Sequence, residues 1–175
     1  FARVMAGLER LQKHGVEYNT LTVVQNDNGD HGAEVYRFLR GIGSRFLQII
    51  PIVEYSGGKS GPSHLPTQVQ VSERTVGPEQ WGRFLNAVWD EWLKEDIGQV
   101  FVQHFDMMLG LALRYPATLC VHSQTCGRAL ALEHTGDLYS CDHYVDPAYN
   151  LGRIDDGQDL VTLAADPRQQ AFGLA

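Results

Sequence analysis

Positive charge is in short supply in this sequence. Lysine and arginine number 14 against 21 aspartates and glutamates, for a net charge of −7. Nonspecific binding to nucleic acid needs a basic surface, so no nucleic-acid partner is expected. Long apolar runs are missing as well. None approaches the roughly 20 residues that a membrane-spanning helix requires, and no membrane partner is expected. No signal peptide is visible, because Phe1-Ala2-Arg3 opens straight into an amphipathic pattern. Internal repeats and low-complexity tracts do not stand out. Cysteine is scarce: three in 175 residues, all between positions 120 and 141. An odd, clustered count does not make a disulfide framework, which favours pairs and a secretory setting. Free thiols or a metal site in a reducing compartment fit better. A start without Met, already in mid-pattern, reads as a piece of a longer chain.

What is present has the grammar of an α/β fold. Val4, Met5, Leu8 and Leu11 follow helical spacing over residues 2–13, with His14-Gly15 as a stop. Val16 to Val24 reads as a strand, and Leu21-Thr22-Val23-Val24 is nearly continuous in apolar character, as in a buried parallel strand. Asn26 to Gly32 is turn chemistry. Val35, Phe38, Leu39 and Ile42 make the next helical face, closed by Gly41 and Gly43, and Phe46 to Val53 is a second buried strand. Helix, strand, helix, strand with short links predicts a parallel sheet with helices packed on it, either open or part of a barrel. Glu54 to Gly77 is a long linker without periodicity, of the kind that is functional or disordered in compact domains. Pro78 then opens a helix with an apolar stripe of Trp81, Phe84, Leu85, Val88 and Trp92, best explained as core. Val100 to Phe105 reads as a short strand and 106–113 as helix.

After Pro116 the character changes, and a boundary is expected there, between 1–116 and 117–175. Cys120 to Gly127 is small and polar. Ala129–Glu133 and Asp137–Cys141 read as short strands around His134-Thr135-Gly136, a hairpin signal. A last helix is expected from about Gly157 to Ala165, interrupted by Pro167. Five residues separate Cys120 from Cys126, and fourteen separate Cys126 from Cys141. The hairpin folds Cys141 back towards the other two, so three thiolates could meet at one soft metal. Thiolates favour zinc or iron–sulfur clusters over hard cations. Spacing alone leaves zinc, iron–sulfur and three unconnected thiols open, because the tight C-x-x-C knuckle is lacking.

The residues around the cysteines say more. The run CVHSQTCGRALALEHTGDLYSCDHYVDPAYNLGRI, from Cys120 to Ile154, closely resembles the start of the SPASM region of anaerobic sulfatase-maturating enzymes. It carries C-x5-C, the Gly-Asp-x-Tyr-x-Cys-Asp-His turn and the Tyr-x-Leu-Gly-x-Ile that follows. Upstream, PEQWGRFLNAVWDEWLKEDIGQVFVQHFD and YNTLTVV are similar to the same family. The resemblance covers most of the chain. It implies the C-terminal part of a radical-SAM partial (β/α) barrel, followed by a small SPASM-like β-hairpin region. It further implies a cytoplasmic oxidoreductase that binds S-adenosylmethionine on a [4Fe–4S] cluster. That enzyme oxidises a Cys or Ser of a sulfatase polypeptide to Cα-formylglycine under anaerobic conditions, with an electron donor such as flavodoxin or ferredoxin. By motif match, Cys120, Cys126 and Cys141 are three ligands of the first auxiliary [4Fe–4S] cluster, Asp142 is the general base, and Leu21 lies on the strand that approaches the nucleoside of S-adenosylmethionine. A carboxylate beside a cluster and shielded from water would suit the base. Gln48, Gln103 and His104 fall on or beside predicted strands, where they would meet substrate or an internal partner. His143 is expected to be structural.

Two departures qualify the resemblance. The C-x-x-x-C-x-x-C loop of the S-adenosylmethionine cluster is absent and is expected before Phe1. The cysteines that complete the first auxiliary cluster and build the second are expected after Ala175. Alone, these 175 residues are therefore not expected to cleave S-adenosylmethionine. Two other readings stay open. One is a radical-SAM maturase of another peptide. The other is a non-catalytic zinc or interaction module, with His122, His134 or His143 completing a Cys3His site.

Overall fold

The computed structural model describes residues 1–54, 71–126, 129–157 and 159–173. The chain divides into two compact units. One comprises Phe1–Val53 with Ser72–Leu109, the other Glu54–Val71 with Gly110–Ala175. Most of the long linker expected after Glu54, residues 55–70, lies outside the described residues.

The first unit runs α1 (Ala2–Lys13), β1 (Asn19–Val24), α2 (Gly32–Gly41), β2 (Phe46–Pro51), α3 (Pro78–Glu95), β3 (Phe101–Val102) and α4 (Gln103–Ala112), the last of which continues into the second unit. Its strands form a parallel sheet in the order β1-β2-β3. Parallel neighbours need a crossover, and α2 and α3 supply it. One sheet face is core. Val24, Leu47 and Val102 meet Tyr36 and Leu39 of α2, Phe84, Val88 and Trp92 of α3, and Phe105 of α4. Helices α2 and α3 touch closely, since a Cβ on Gly32 would lie 2.5 Å from the Phe84 carbonyl oxygen. The stripe read from the sequence is this core, and Pro78 occupies the first turn of α3.

Three expectations need correction. Val100–Phe105 is not a full strand: pairing to β2 ends at Val102, and α4 begins at Gln103. Gln103 and His104 therefore sit in a first helical turn. Phe38 is 47% exposed, while Tyr36 is buried in its place. The tyrosine is placed there by its hydroxyl, which donates to Asp96 Oδ2 at 2.7 Å in the interior. The strand β1 is not buried on both sides. Its even-numbered residues turn inward, whereas Leu21 is 56% and Val23 45% exposed. Register places Leu21 beside Gln48 and Val23 beside Ile50, so these four share the uncovered face. Phe46 and Phe101 stack on that face, with ring centroids 5.3 Å apart.

The second unit is a three-stranded antiparallel sheet with two short helices. Strands β4 (Ala131–Leu132) and β5 (Asp137–Tyr139) make the expected hairpin, though each is shorter than the sequence reading. Gly136 supplies the positive φ of its turn, 87°. A third strand, β6 (Asn150–Arg153), pairs with β5. Helix α5 (Leu160–Ala164) buries Leu163 against Leu138 and Leu151. Pro167 does not interrupt this helix. It opens another, α6 (Pro167–Ala171), because Asp166 caps the start and a proline at the first position sacrifices no hydrogen bond.

The buried Tyr36–Asp96 pair gives a stability prediction. Asp96 also receives Arg40 Nε at 3.0 Å. Burial, and then the hydrogen bond to Asp96, push the Tyr36 hydroxyl well above its ordinary value. That hydroxyl therefore stays protonated and needs an acceptor. Asp96→Ala should cost about 1–3 kcal/mol, because it strands a buried donor, and should exceed Tyr36→Phe, which removes the donor. Denaturant unfolding followed by tryptophan fluorescence reads this unit, since Trp81, Trp89 and Trp92 all lie on α3. Equal midpoints for Asp96→Ala and the parent protein would refute the assignment.

Candidate functional site at the cysteine-bearing unit

All three cysteines lie in the second unit and all are free thiols. Cys120 opens a single 3-10 turn, Cys120–His122, and is half-buried. Cys126 is exposed on the loop before β4. Cys141 is buried where β5 ends and the turn Asp142–Tyr144 begins. Its carbonyl accepts the Tyr144 backbone N–H at 3.1 Å, which fixes the turn.

Around Cys141 the electrostatics are specific. Burial pushes its thiol up, the negative charge of Asp142 and the nearby thiol of Cys126 add to that, and the His143 backbone N–H opposes it. Cys141 Sγ donates to Asp142 Oδ1 at 3.3 Å. Cys126, separated from Cys141 by fourteen residues, is near enough to act weakly on its thiol. Asp142 and His143 are exposed. The shielding of Asp142 expected from sequence is not supplied by the described residues. Between Cys126, Tyr144, Tyr149 and Phe172 lies a cavity of about 450 Å³.

Among the described residues, no group of three His, Cys, Asp or Glu side chains stands close enough to hold a metal ion. The unliganded thiols are not drawn into one cage. His134, one candidate for a Cys3His site, is 89% exposed and faces Glu133 at 3.4 Å. The donor set suits part of an iron–sulfur site in its chemistry: soft sulfur ligands, unpaired into disulfides. A [4Fe–4S] cluster takes four thiolates, so three leave one place to fill.

Leu21 and Gln48 lie side by side on the uncovered sheet face of the first unit. Gln103 is exposed and His104 half-buried in the first turn of α4. Sequence reasoning missed β6 and α6. The only local signals were the Asp166-Pro167 pair, which caps and opens a helix, and the alternation around Leu151.

The comparisons fit this architecture. No protein-family model matches the chain. A serine-type anaerobic sulfatase-maturating enzyme of Bacteroides thetaiotaomicron is 39% identical over 99% of this chain and 43% of its own length. One from Klebsiella pneumoniae is 33% identical over 99% of the chain and 41% of its own length. A cysteine-type enzyme of Clostridium novyi is 30% identical over 89% and 40%, respectively. A solved structure described as native anSMEcpe with bound AdoMet superposes with a TM-score of 0.82 at 25% identity. It covers 99% of this chain and 45% of that one. A second, with AdoMet and the Cp18Cys peptide, gives the same TM-score. The class is therefore α/β, with the fold of a segment of these radical-SAM structures. Within that class the chain is homologous to the anaerobic sulfatase-maturating enzymes, and it spans a little under half the length of the relatives it matches.

The site makes a prediction about metal-free protein. Thiolate fraction and access set alkylation rates. Iodoacetamide at neutral pH should modify exposed Cys126 first and Cys141 last, at least about tenfold more slowly, because Cys141 is buried and its thiol raised. Peptide mapping reads the order, and equal rates at Cys126 and Cys141 would contradict this geometry.

Proposed function

We propose that this chain is part of a radical S-adenosylmethionine enzyme that oxidises a Cys or Ser of a sulfatase polypeptide to Cα-formylglycine. The observation that carries the proposal is 39% identity to the serine-type enzyme of Bacteroides thetaiotaomicron across 99% of the chain. It is supported by a match of equal extent to AdoMet-bound structures, one of them holding a peptide. Cys120, Cys126 and Cys141 hold part of an auxiliary [4Fe–4S] cluster. When bound, S-adenosylmethionine supplies a radical that removes a Cβ hydrogen atom, and the auxiliary cluster supplies an electron acceptor.

Converting a serine CH2OH to an aldehyde removes one hydrogen atom, one proton and one electron. For cysteine the first product is a thioaldehyde, which water converts to the aldehyde with release of hydrogen sulfide. The proton needs an acceptor on the protein. Asp142 takes it from the substrate hydroxyl or thiol, and its place next to Cys141 keeps proton and electron acceptors together. Leu21 offers an apolar surface on the open sheet face to the nucleoside, with Gln48 beside it as a polar contact. Free thiols suit a reducing cytoplasm, and a flavodoxin or ferredoxin serves as electron donor.

The test uses the full protein carrying this chain, reconstituted anaerobically with iron and sulfide. It is incubated with S-adenosylmethionine, reductant and sulfatase peptides bearing Cys or Ser. Mass spectrometry should show the aldehyde. Asp142→Asn should lower its formation by about 10²-fold or more, the usual scale for a lost general base, while iron content and S-adenosylmethionine cleavage persist. Cleavage with every sulfatase peptide unmodified would move the substrate to another peptide class. No cleavage at full iron content would end the enzyme proposal.

A further inference from the structure

Helix α6 and the residues after it join the two segments that carry Cys126 and Cys141. Arg168 donates to the carbonyls of Asn150 at 2.9 Å and Leu151 at 3.0 Å, and is itself held by Asp166 at 2.8 Å. Gln169 is buried, and its Nε2 donates to the Ser140 carbonyl at 3.4 Å, one residue before Cys141. Phe172 packs edge-on against Tyr144 and Tyr149, at 5.4 and 5.7 Å between centroids, and those two rings meet each other at 5.0 Å. Tyr144 belongs to the turn that Cys141 opens. The helix is therefore fastened to the Cys141 side.

Its far end reaches Cys126. Gly173 has φ +81°, and a Cβ there would meet the Cys126 Cβ directly. It would also lie 2.8 Å from the Cys126 Cα and 2.9 Å from its carbonyl carbon. Two of these neighbours are backbone atoms, so no side-chain rotation relieves the overlap. Only a residue without a Cβ lets this backbone lie flat against the Cys126 loop. Cys126 is exposed.

We propose that Gly173 is a positioning residue for Cys126: the end of α6, seated by Phe172 on Tyr144 and Tyr149, braces the Cys126 loop so that its thiol faces Cys141. The proposal rests on the reading of Cys126 as a cluster ligand. A side chain at position 173 pushes that loop away and weakens the auxiliary cluster without touching the S-adenosylmethionine cluster.

Gly157 provides the control. It has φ +77°, in the same unit, and a Cβ there would meet nothing within 4 Å. Gly157→Ala thus carries the backbone strain without the overlap. In the full protein, reconstituted anaerobically, Gly173→Ala should lose about four irons per chain, the content of one [4Fe–4S] cluster, as Cys126→Ser does. Gly157→Ala should keep the parent content. The Gly173→Ala, Cys126→Ser double variant should lose no more than either single one. In metal-free protein, Cys126 of Gly173→Ala should alkylate faster than in the parent, a change that general loosening would share with Gly157→Ala. Parent iron content in Gly173→Ala, or equal losses in the two glycine variants, overturns the proposal. If Gly173→Ala is not recovered folded, Phe172→Leu takes its place and should lower iron content; unchanged iron there also overturns it. Full iron in Cys126→Ser would instead refute the ligand reading beneath it.

Discussion

A parallel sheet presents two faces to cover, and the first unit covers only one. Helices α2, α3 and α4 bury Val24, Leu47 and Val102. The Tyr36–Asp96 bond ties α2 to the end of α3, and Trp92 donates to the Val100 carbonyl at 2.8 Å just before β3. The other face keeps Leu21, Val23, Ile50 and the stacked Phe46–Phe101 pair in the open. All-parallel sheets are found with both faces covered, and large apolar patches mark binding surfaces. A polar Gln48 set among apolar neighbours suits a ligand surface better than a plain packing surface.

The second unit faces a different problem. Among its described residues the buried apolar cluster is small, centred on Leu138, Leu151 and Leu163. Its order comes from connections instead. The cap at Asp166, the Arg168 bonds to β6 and the three-ring cluster of Tyr144, Tyr149 and Phe172 hold short elements that would not persist alone. Thiols placed on such a frame can be near one another without being locked. A metal then contributes part of the folding free energy of its own site.

The elements with strong periodicity were legible in the sequence. The α3 stripe, the alternation of helix and strand, and the hairpin around Gly136 each stand in the structure because local pattern and packing agree there. The failures have physical causes. Leu21-Thr22-Val23-Val24 reads as doubly buried because apolar composition does not say whether the facing layer is present. Tyr36 displaces Phe38 because a buried acceptor, Asp96, sits sixty residues away, beyond any local pattern. Helix α6 is five residues long, and its role lies in tertiary contacts that no periodicity encodes. At the site, cysteine spacing alone left a soft-metal centre and three unconnected thiols open, and the close approach of Gly173 to Cys126 needs the fold before it can be seen.

The adjacency of Cys141 and Asp142 carries a mechanistic consequence under the proposed function. Oxidation of the substrate carbon sheds a proton and an electron after the hydrogen atom is lost. If one departs without the other, charge builds up at the reacting carbon, at a cost that rises as the local dielectric falls. One peptide bond separates Asp142, the proposed proton acceptor, from Cys141, a proposed ligand of the electron-accepting cluster. The Sγ–Oδ1 distance of 3.3 Å places the two groups in contact. If the proposed roles hold, the pairing of a ligand and a base in consecutive positions is a constraint on charge. It makes the path of the proton depend on the same turn that fixes the thiolate.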